Sequence, residues 1–175
     1  GERLHGRLNV FGPYAACRTY KQTIKAHDVV IVHSRCLPMK ILVPTDGSAS
    51  ALRAAKYVAA MRPKVSVTLI SVHDDTGMRH LKKFISKDTV SDYLRELSDK
   101  DLKSARNALD KAGVAHDMII KTGHVAEEIA KAAKAGKFDL IVMGAKGRSI
   151  VTDLLIGSVA QRVLALTKLP LTFIK

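Results

Sequence analysis

The sequence predicts an α/β domain built on a doubly wound, five-stranded parallel sheet, and three features carry that expectation. Short runs rich in Val, Ile and Leu recur from Met39 to the end of the chain. Between them lie segments whose apolar residues fall at helical spacing. Glycines, prolines and Asp/Ser turn residues mark the joins. Strictly alternating strands and helices imply parallel strands with crossovers covering both faces of one sheet.

The elements follow in order. Lys40 to Val43 reads as a buried strand ended by Pro44, and Asp46, Gly47 and Ser48 supply turn and helix-cap chemistry. Ala51, Ala54, Ala55 and Val58 then recur at helical spacing up to Met61, and Pro63 separates that helix from a second strand, Val65 to Val72. Residues 74 to 90 form the longest connection, with Gly77 and the basic run RHLKKFISK from Arg79 to Lys87. The run reads as a solvated face, the other reading being a flap near a ligand. Ser91 is placed to cap a long helix with apolar positions Leu94, Leu97, Leu102, Ala105, Ala108 and Leu109, closed by Gly113. Ala115 to Lys121 is a third strand, Val125 to Ala135 a third helix stopped by Gly136, and Phe138 to Met143 a fourth strand. A fourth helix, Ser158 to Thr167, and a last strand, Leu169 to Ile174, complete the unit. That last strand is expected at a sheet edge, where unpaired backbone groups invite another strand.

Composition agrees with a globular α/β chain: 47% of its 175 residues are hydrophobic. The longest apolar runs, Val29 to Val32 and Leu140 to Met143, are far short of the roughly 20 residues a membrane span needs. A net charge of +13 attracts polyanions without choosing among them. With 5% aromatic residues, scattered, the chain lacks the stacking platforms of a single-strand binder, so nucleic acid is the lesser reading. Cys17 and Cys36 both precede Met39, a usage that suits a reducing cytoplasm.

Residues 1 to 38 read differently from the rest. They hold both cysteines and three of the seven histidines, show no sustained period, and lack the apolar stretch of a secretory signal. We read them as an appendage to a domain spanning 39 to 175; the alternative is that Val29 to Val32 adds an edge strand to the sheet.

In a doubly wound sheet, ligands bind at the carboxyl ends of the strands where strand order reverses. The loops after the first and fourth strands are therefore the places to look. The second holds GAKGRSIVTDLLIGSV: Gly144, two residues, Gly147, nine residues, then Gly157 and Ser158 at a helix start. Glycines admit positive φ and close backbone approach. The first N–H groups of a helix are unpaired and carry partial positive charge, which makes a phosphate site. Ser158 can add a hydroxyl donor, and Lys146 and Arg148 stand where they can screen phosphate charge.

This loop, with VPTDGS after the first strand and LPLTFIK at the end, resembles the ATP-binding branch of the universal stress protein family over residues 39 to 175. The resemblance implies an adenine nucleotide α-hydrolase-like fold that holds ATP, with magnesium, and a homodimer through the final strand. It places Asp46 at the nucleoside with Pro44 lining the same pocket, Val72 against adenine, and Met143 and Gly144 beside adenine and ribose. Gly147, Gly157, Ser158 and Val159 match the phosphate-binding positions. The loop interior follows the family less closely, which leaves Lys146 and Arg148 without assigned roles. Taken alone, Asp46 reads as a helix cap; its place beside the glycine loop favours a ligand.

His73 and Asp74 read as rim positions, since no third ligand lies in sequence reach. The chain carries no P-loop GxxxxGK[ST], no GxGxxG after the first strand and no GxSxG elbow. No catalytic residue or metal ligand is named. The expected function is a cytoplasmic, nucleotide-binding stress-response regulator, the alternative being a slow ATPase or nucleotidyl-transfer enzyme using the same site.

Overall fold

The computed structural model describes residues 18–26, 29–61, 65–74, 87–148 and 156–175. The chain divides into two units, Gly1–Pro38 and Met39–Lys175. In the first, β1 (Arg18–Ala26) and β2 (Val29–Leu37) pair antiparallel, Arg18 opposite Leu37 and Ala26 opposite Val29. Val29 to Val32 thus pairs within a separate two-stranded sheet and adds no edge to the larger one. The segment forms strands although it shows no sustained period, and the β-branched residues in both segments are the sign of strand.

The second unit runs β3 (Met39–Pro44), α1 (Ala49–Ala59), β4 (Val65–His73), α2 (Lys87–Lys111), β5 (His116–Thr122), α3 (Val125–Ala135), β6 (Leu140–Gly144), α4 (Ser158–Leu166), β7 (Leu171–Ile174). Its five strands are all parallel in the order β5-β4-β3-β6-β7. The chain winds outward from β3 through β4 and β5, then crosses to β6 and β7 on the other side. The reversal of strand order therefore falls between β3 and β6.

Successive side chains of a strand face opposite sides, and the core divides accordingly. Ile41, Val43, Val67, Leu69 and Val142 pack with Ala54, Ala55 and Val58 of α1 and Leu102, Ala105 and Leu109 of α2. Leu42, Ile70, Ile141 and Met143 pack with Ala126, Ile129 and Ala133 of α3 and Ala160 and Val163 of α4. The central strand has no polar face because both of its faces are covered.

Helix ends explain where sequence boundaries shift. The cap of α1 is Ser48, whose Oγ accepts from the Ala51 N–H at 3.2 Å. Helix α2 starts at Lys87, so Ser91 lies inside it and the expected cap is corrected. The basic run before Lys87, with Gly77 and Pro63, lies outside the described residues. Two helices end on the same device, an N–H bonding back five residues with a left-handed residue before it. In α2 these are Val114 N–H to the Leu109 carbonyl (3.0 Å) and Gly113 at φ 66°. In α3 they are Phe138 N–H to the Ala133 carbonyl (3.2 Å) and Lys137 at φ 51°. Gly136 is therefore not the left-handed stop. It is right-handed at φ −76°, and a Cβ there would overlap the Phe138 ring. Because Phe138 belongs to this turn, β6 begins at Leu140.

Candidate functional site

The carboxyl ends of β3, β4 and β6 and the starts of α1, α3 and α4 enclose a cavity of about 340 Å³. Every residue singled out from the sequence lines it: Pro44, Asp46, Val72, Met143, Gly144, Gly147, Gly157, Ser158 and Val159. Ile70, Val125 and Ile129 extend its apolar side, and His73, Asp74, Lys146 and Arg148 its polar side. Among the described residues no helix is long and apolar enough to cross a membrane.

The loop after β3 is shaped by its own hydrogen bonds. Thr45 N–H donates to the Ile70 carbonyl at 2.9 Å, carrying the β4 pairing one residue past Pro44. Gly47 then turns the chain at φ 77°, a left-handed conformation that favours glycine. The Asp46 carboxylate accepts the Ser48 N–H at 3.0 Å through Oδ1 and the Arg148 N–H at 3.2 Å through Oδ2. Asp46 therefore joins the two loops across the switch point, and Ser48, not Asp46, caps the helix. A Cβ on Gly147 would stand 3.1 Å from Asp46 Oδ2. The glycine lets the two loops meet.

Helix α4 opens on Gly157 with no side-chain cap. Gly157 N–H donates to the Ala145 carbonyl at 2.8 Å, and the first intrahelical bond is Gln161 N–H to the Gly157 carbonyl at 2.9 Å. The N–H groups of Ser158, Val159 and Ala160 precede that bond, so helix geometry gives them no acceptor within α4. Gly157 sits at φ −73° and ψ 159°, and the left-handed glycines among the described residues are Gly47, Gly113 and Gly123. Of the two properties glycine permits, Gly144 and Gly147 use close approach and not positive φ. Residues 149–155 of the loop interior lie outside the described residues.

A model of the universal stress protein family matches residues 39–175, the whole of the second unit. The chain belongs to that family. The universal stress protein MJ0531 of Methanocaldococcus jannaschii is 30% identical over 148 residues, covering 83% of this chain and 87% of that protein. The solved structure of MJ0577 of the same organism is 29% identical with a TM-score of 0.69, covering 78% of this chain and 95% of that one. A universal stress protein of Archaeoglobus fulgidus in complex with dAMP shares the fold at 20% identity and a TM-score of 0.55, covering 79% and 98% of the two chains.

One cluster in this universal stress domain escaped the sequence reading. Asp101, on the core face of α2 and 5% exposed, accepts the Arg148 guanidinium at 2.6 Å through Oδ2. His73 Nε2 stands 3.8 Å from the same oxygen and 3.3 Å from Ser71 Oγ. The Asp101 backbone carbonyl accepts from Thr45 Oγ1 at 3.3 Å, which ties α2 to the loop of Asp46. Burial raises the Asp101 carboxyl above the ordinary carboxylate range, with Arg148 and then His73 opposing it. Burial likewise pushes the His73 imidazole down; Asp101 opposes this and Arg148 adds to it. The signal in the sequence was a carboxylate at a core-facing helical position, beside Leu102 and between Leu94 and Ala105. His73 is half-buried at the cavity wall and Asp74 is exposed beside it.

Proposed function

We propose that this universal stress domain binds ATP, with magnesium on its phosphates, and serves as a regulatory nucleotide-binding protein of the stress response in the cytoplasm, not as an enzyme. The observation that carries this reading is one cavity that joins an uncapped helix N-terminus to an apolar slot. Backbone N–H groups at Ser158, Val159 and Ala160 suit phosphate, and the loop passes Gly147 without a side chain in the way. Pro44, Val72 and Met143 offer the flat apolar contact that adenine needs. Asp46 has accepting capacity left after its two amide bonds, since an ionised carboxylate offers about four lone-pair sites, and a ribose hydroxyl suits one of them. Magnesium binds chiefly through substrate phosphates and retained water. In that mode the ion comes with the nucleotide. The complex of a fold relative with dAMP supports an adenine ligand.

The same reading includes a homodimer through β7. That strand lies at a sheet edge, its residues are half-buried, and Leu164 and Leu166 at the end of α4 are exposed. Apolar groups beside unpaired backbone suit a second copy of the chain. Sedimentation equilibrium should give twice the 19.0 kDa chain mass at micromolar concentration, and a monomer throughout would overturn the dimer.

Mass spectrometry of the supernatant from denatured protein tests the ligand, with calorimetry for affinity. Micromolar ATP binding, about −8 kcal/mol, is expected, and Gly157→Val should weaken it at least about tenfold. Stoichiometric retention of ATP in the presence of Mg²⁺ is the expected result; steady turnover would move the protein to the enzymes. Unchanged affinity in a folded Gly157→Val variant would remove the phosphate site from α4.

A further inference from the structure

One oxygen of a buried carboxylate faces a guanidinium and an imidazole of different freedom. The Arg148 side chain is 57% exposed and reaches Asp101 Oδ2 from the glycine loop. His73 is held in β4, with a side chain 14% exposed, at 3.8 Å from the same oxygen. Arg148 also lines the cavity that holds Gly157, Ser158 and Val159, and a guanidinium carries five donors of which Nη2 serves Asp101. A buried carboxylate that loses one cation needs another charge or a proton. Here an imidazole able to take up that proton already stands beside it.

We propose that Arg148 leaves Asp101 for the outer phosphates of a bound nucleotide while His73 takes over the carboxylate, so that Asp101 sets the preference for triphosphate over monophosphate. The proposal rests on the nucleotide reading above and deepens it. A monophosphate nucleotide has its charge at the helix terminus, where backbone N–H groups meet it, and gives Arg148 little reason to move. A triphosphate extends further charge along the loop, and arginine binds phosphate oxygens with charge-assisted, bidentate geometry. The exchange leaves Asp101 with His73 as its cation. Arg148 from the glycine loop, His73 from β4 and Asp46 from the loop after β3 are the charged groups that act on Asp101. With the guanidinium withdrawn, the repulsion that adds to the burial cost of the imidazolium and the competing ion pair both go, the attraction of Asp101 stays, and His73 takes up a fraction of a proton from solvent. Triphosphate binding therefore carries a proton with it, and monophosphate binding does not.

Calorimetry with ATP and AMP, at neutral pH in two buffers of different ionisation heat, tests this on the full chain. The wild type should take up a fraction of a proton with ATP and none with AMP. Asp101→Asn releases Arg148 at almost constant shape, and should raise the ATP-to-AMP affinity ratio by about threefold or more and abolish the proton uptake. Arg148→Gln, at an exposed side chain, should lower ATP affinity by about tenfold, several times more than it lowers AMP affinity. If the buried amide of Asp101→Asn prevents folding, Arg148→Gln and the proton count carry the test without it. A lower ATP-to-AMP ratio in Asp101→Asn would overturn the exchange and make Asp101 a fixed anchor of the loop. Equal losses for both nucleotides in Arg148→Gln, or ATP binding without proton uptake, would overturn it as well. In each of those results the nucleotide reading stands, because ATP and AMP still bind; a wild type that binds no adenine nucleotide removes both.

Discussion

Gly144 ends β6 so close to the start of α1 that a Cβ on it would stand 2.7 Å from both the carbonyl carbon and the Oγ of Ser50. The Ala51 nitrogen would lie at 2.8 Å. Two of these neighbours are backbone and cannot move aside. Ser50 is itself fixed, donating to the Ile174 carbonyl at 3.0 Å and accepting the Lys146 N–H at 3.4 Å. Gly144 is therefore required by packing of the strand against the helix, whatever its place beside a ligand. Gly144→Ala should destabilise the domain by about 1–3 kcal/mol, the usual cost of overpacking a filled site. Urea denaturation should show a lower midpoint at unchanged slope; an unchanged midpoint would mean that α1 shifts without cost.

Asp46 serves two backbone donors from two loops. Removing it leaves the Ser48 and Arg148 N–H groups without these acceptors, and both bonds are charge-assisted. We expect Asp46→Ala to lower the stability of nucleotide-free protein by about 1–2 kcal/mol. Asp46→Asn keeps one carbonyl acceptor and should lose about half as much. The loss is not that of a cap, because Ser48 caps α1. Thermal melts of both variants without nucleotide decide the matter, and equal melting temperatures for wild type and alanine variant would count against the bridge.

Lys137 occupies at the end of α3 the left-handed position that Gly113 occupies at the end of α2. An L-residue pays about 1–2 kcal/mol for that conformation, part of which is offset because glycine loses more entropy on folding. Lys137 is exposed, so little packing is lost with its side chain. Lys137→Gly should raise stability by about 0.5–1 kcal/mol, and Gly113→Lys should lower it by a similar amount. Chemical denaturation of the two single variants measures both; a stabilising Gly113→Lys would contradict the motif.

The strand and helix succession after Met39 was legible because each element carries its own period, and boundaries moved where tertiary contacts intervened. Phe138 reads as the start of a strand because it is apolar, yet its N–H closes α3 and its ring fills the space beside Gly136. Ser91 reads as a cap because its type suits one, and sequence alone cannot see that α2 continues four residues earlier. The hairpin Arg18–Leu37 was missed because its first strand, RTYKQTIKA, is mostly polar and shows no clean alternation. At the site, the glycine spacing located the cavity, and the roles of its glycines did not follow. Gly144 and Gly147 give way to Ser50 and Asp46, contacts about 95 to 100 residues distant in sequence. The core-facing position of Asp101 was legible, but its partners were not, because Arg148 and His73 come from separate elements that meet only in the fold.

That meeting gives the domain a pH dependence whose two parts have opposite sign. His73 titrates below its ordinary 6.5 when folded, because burial disfavours the imidazolium. Its contribution to stability is then fully present above pH 6.5 and is lost as pH falls through the folded value. Asp101 titrates above its ordinary 3.8, because burial disfavours the carboxylate. Its contribution is present below pH 3.8 and lost as pH rises through the raised value. On acidification from neutral pH, His73 therefore destabilises the fold first, and Asp101 restores part of the loss at lower pH. Melting temperatures of the wild type, His73→Gln and Asp101→Asn between pH 8 and 4 separate the two groups. The difference between His73→Gln and wild type should grow in favour of the variant as pH falls below 6.5. Asp101→Asn should gain on the wild type as pH rises out of the acid range, since it never has to bury a charge. Parallel curves for wild type and His73→Gln would show that His73 titrates alike in the folded and unfolded chain, and that its burial beside Asp101 is not felt by the imidazolium.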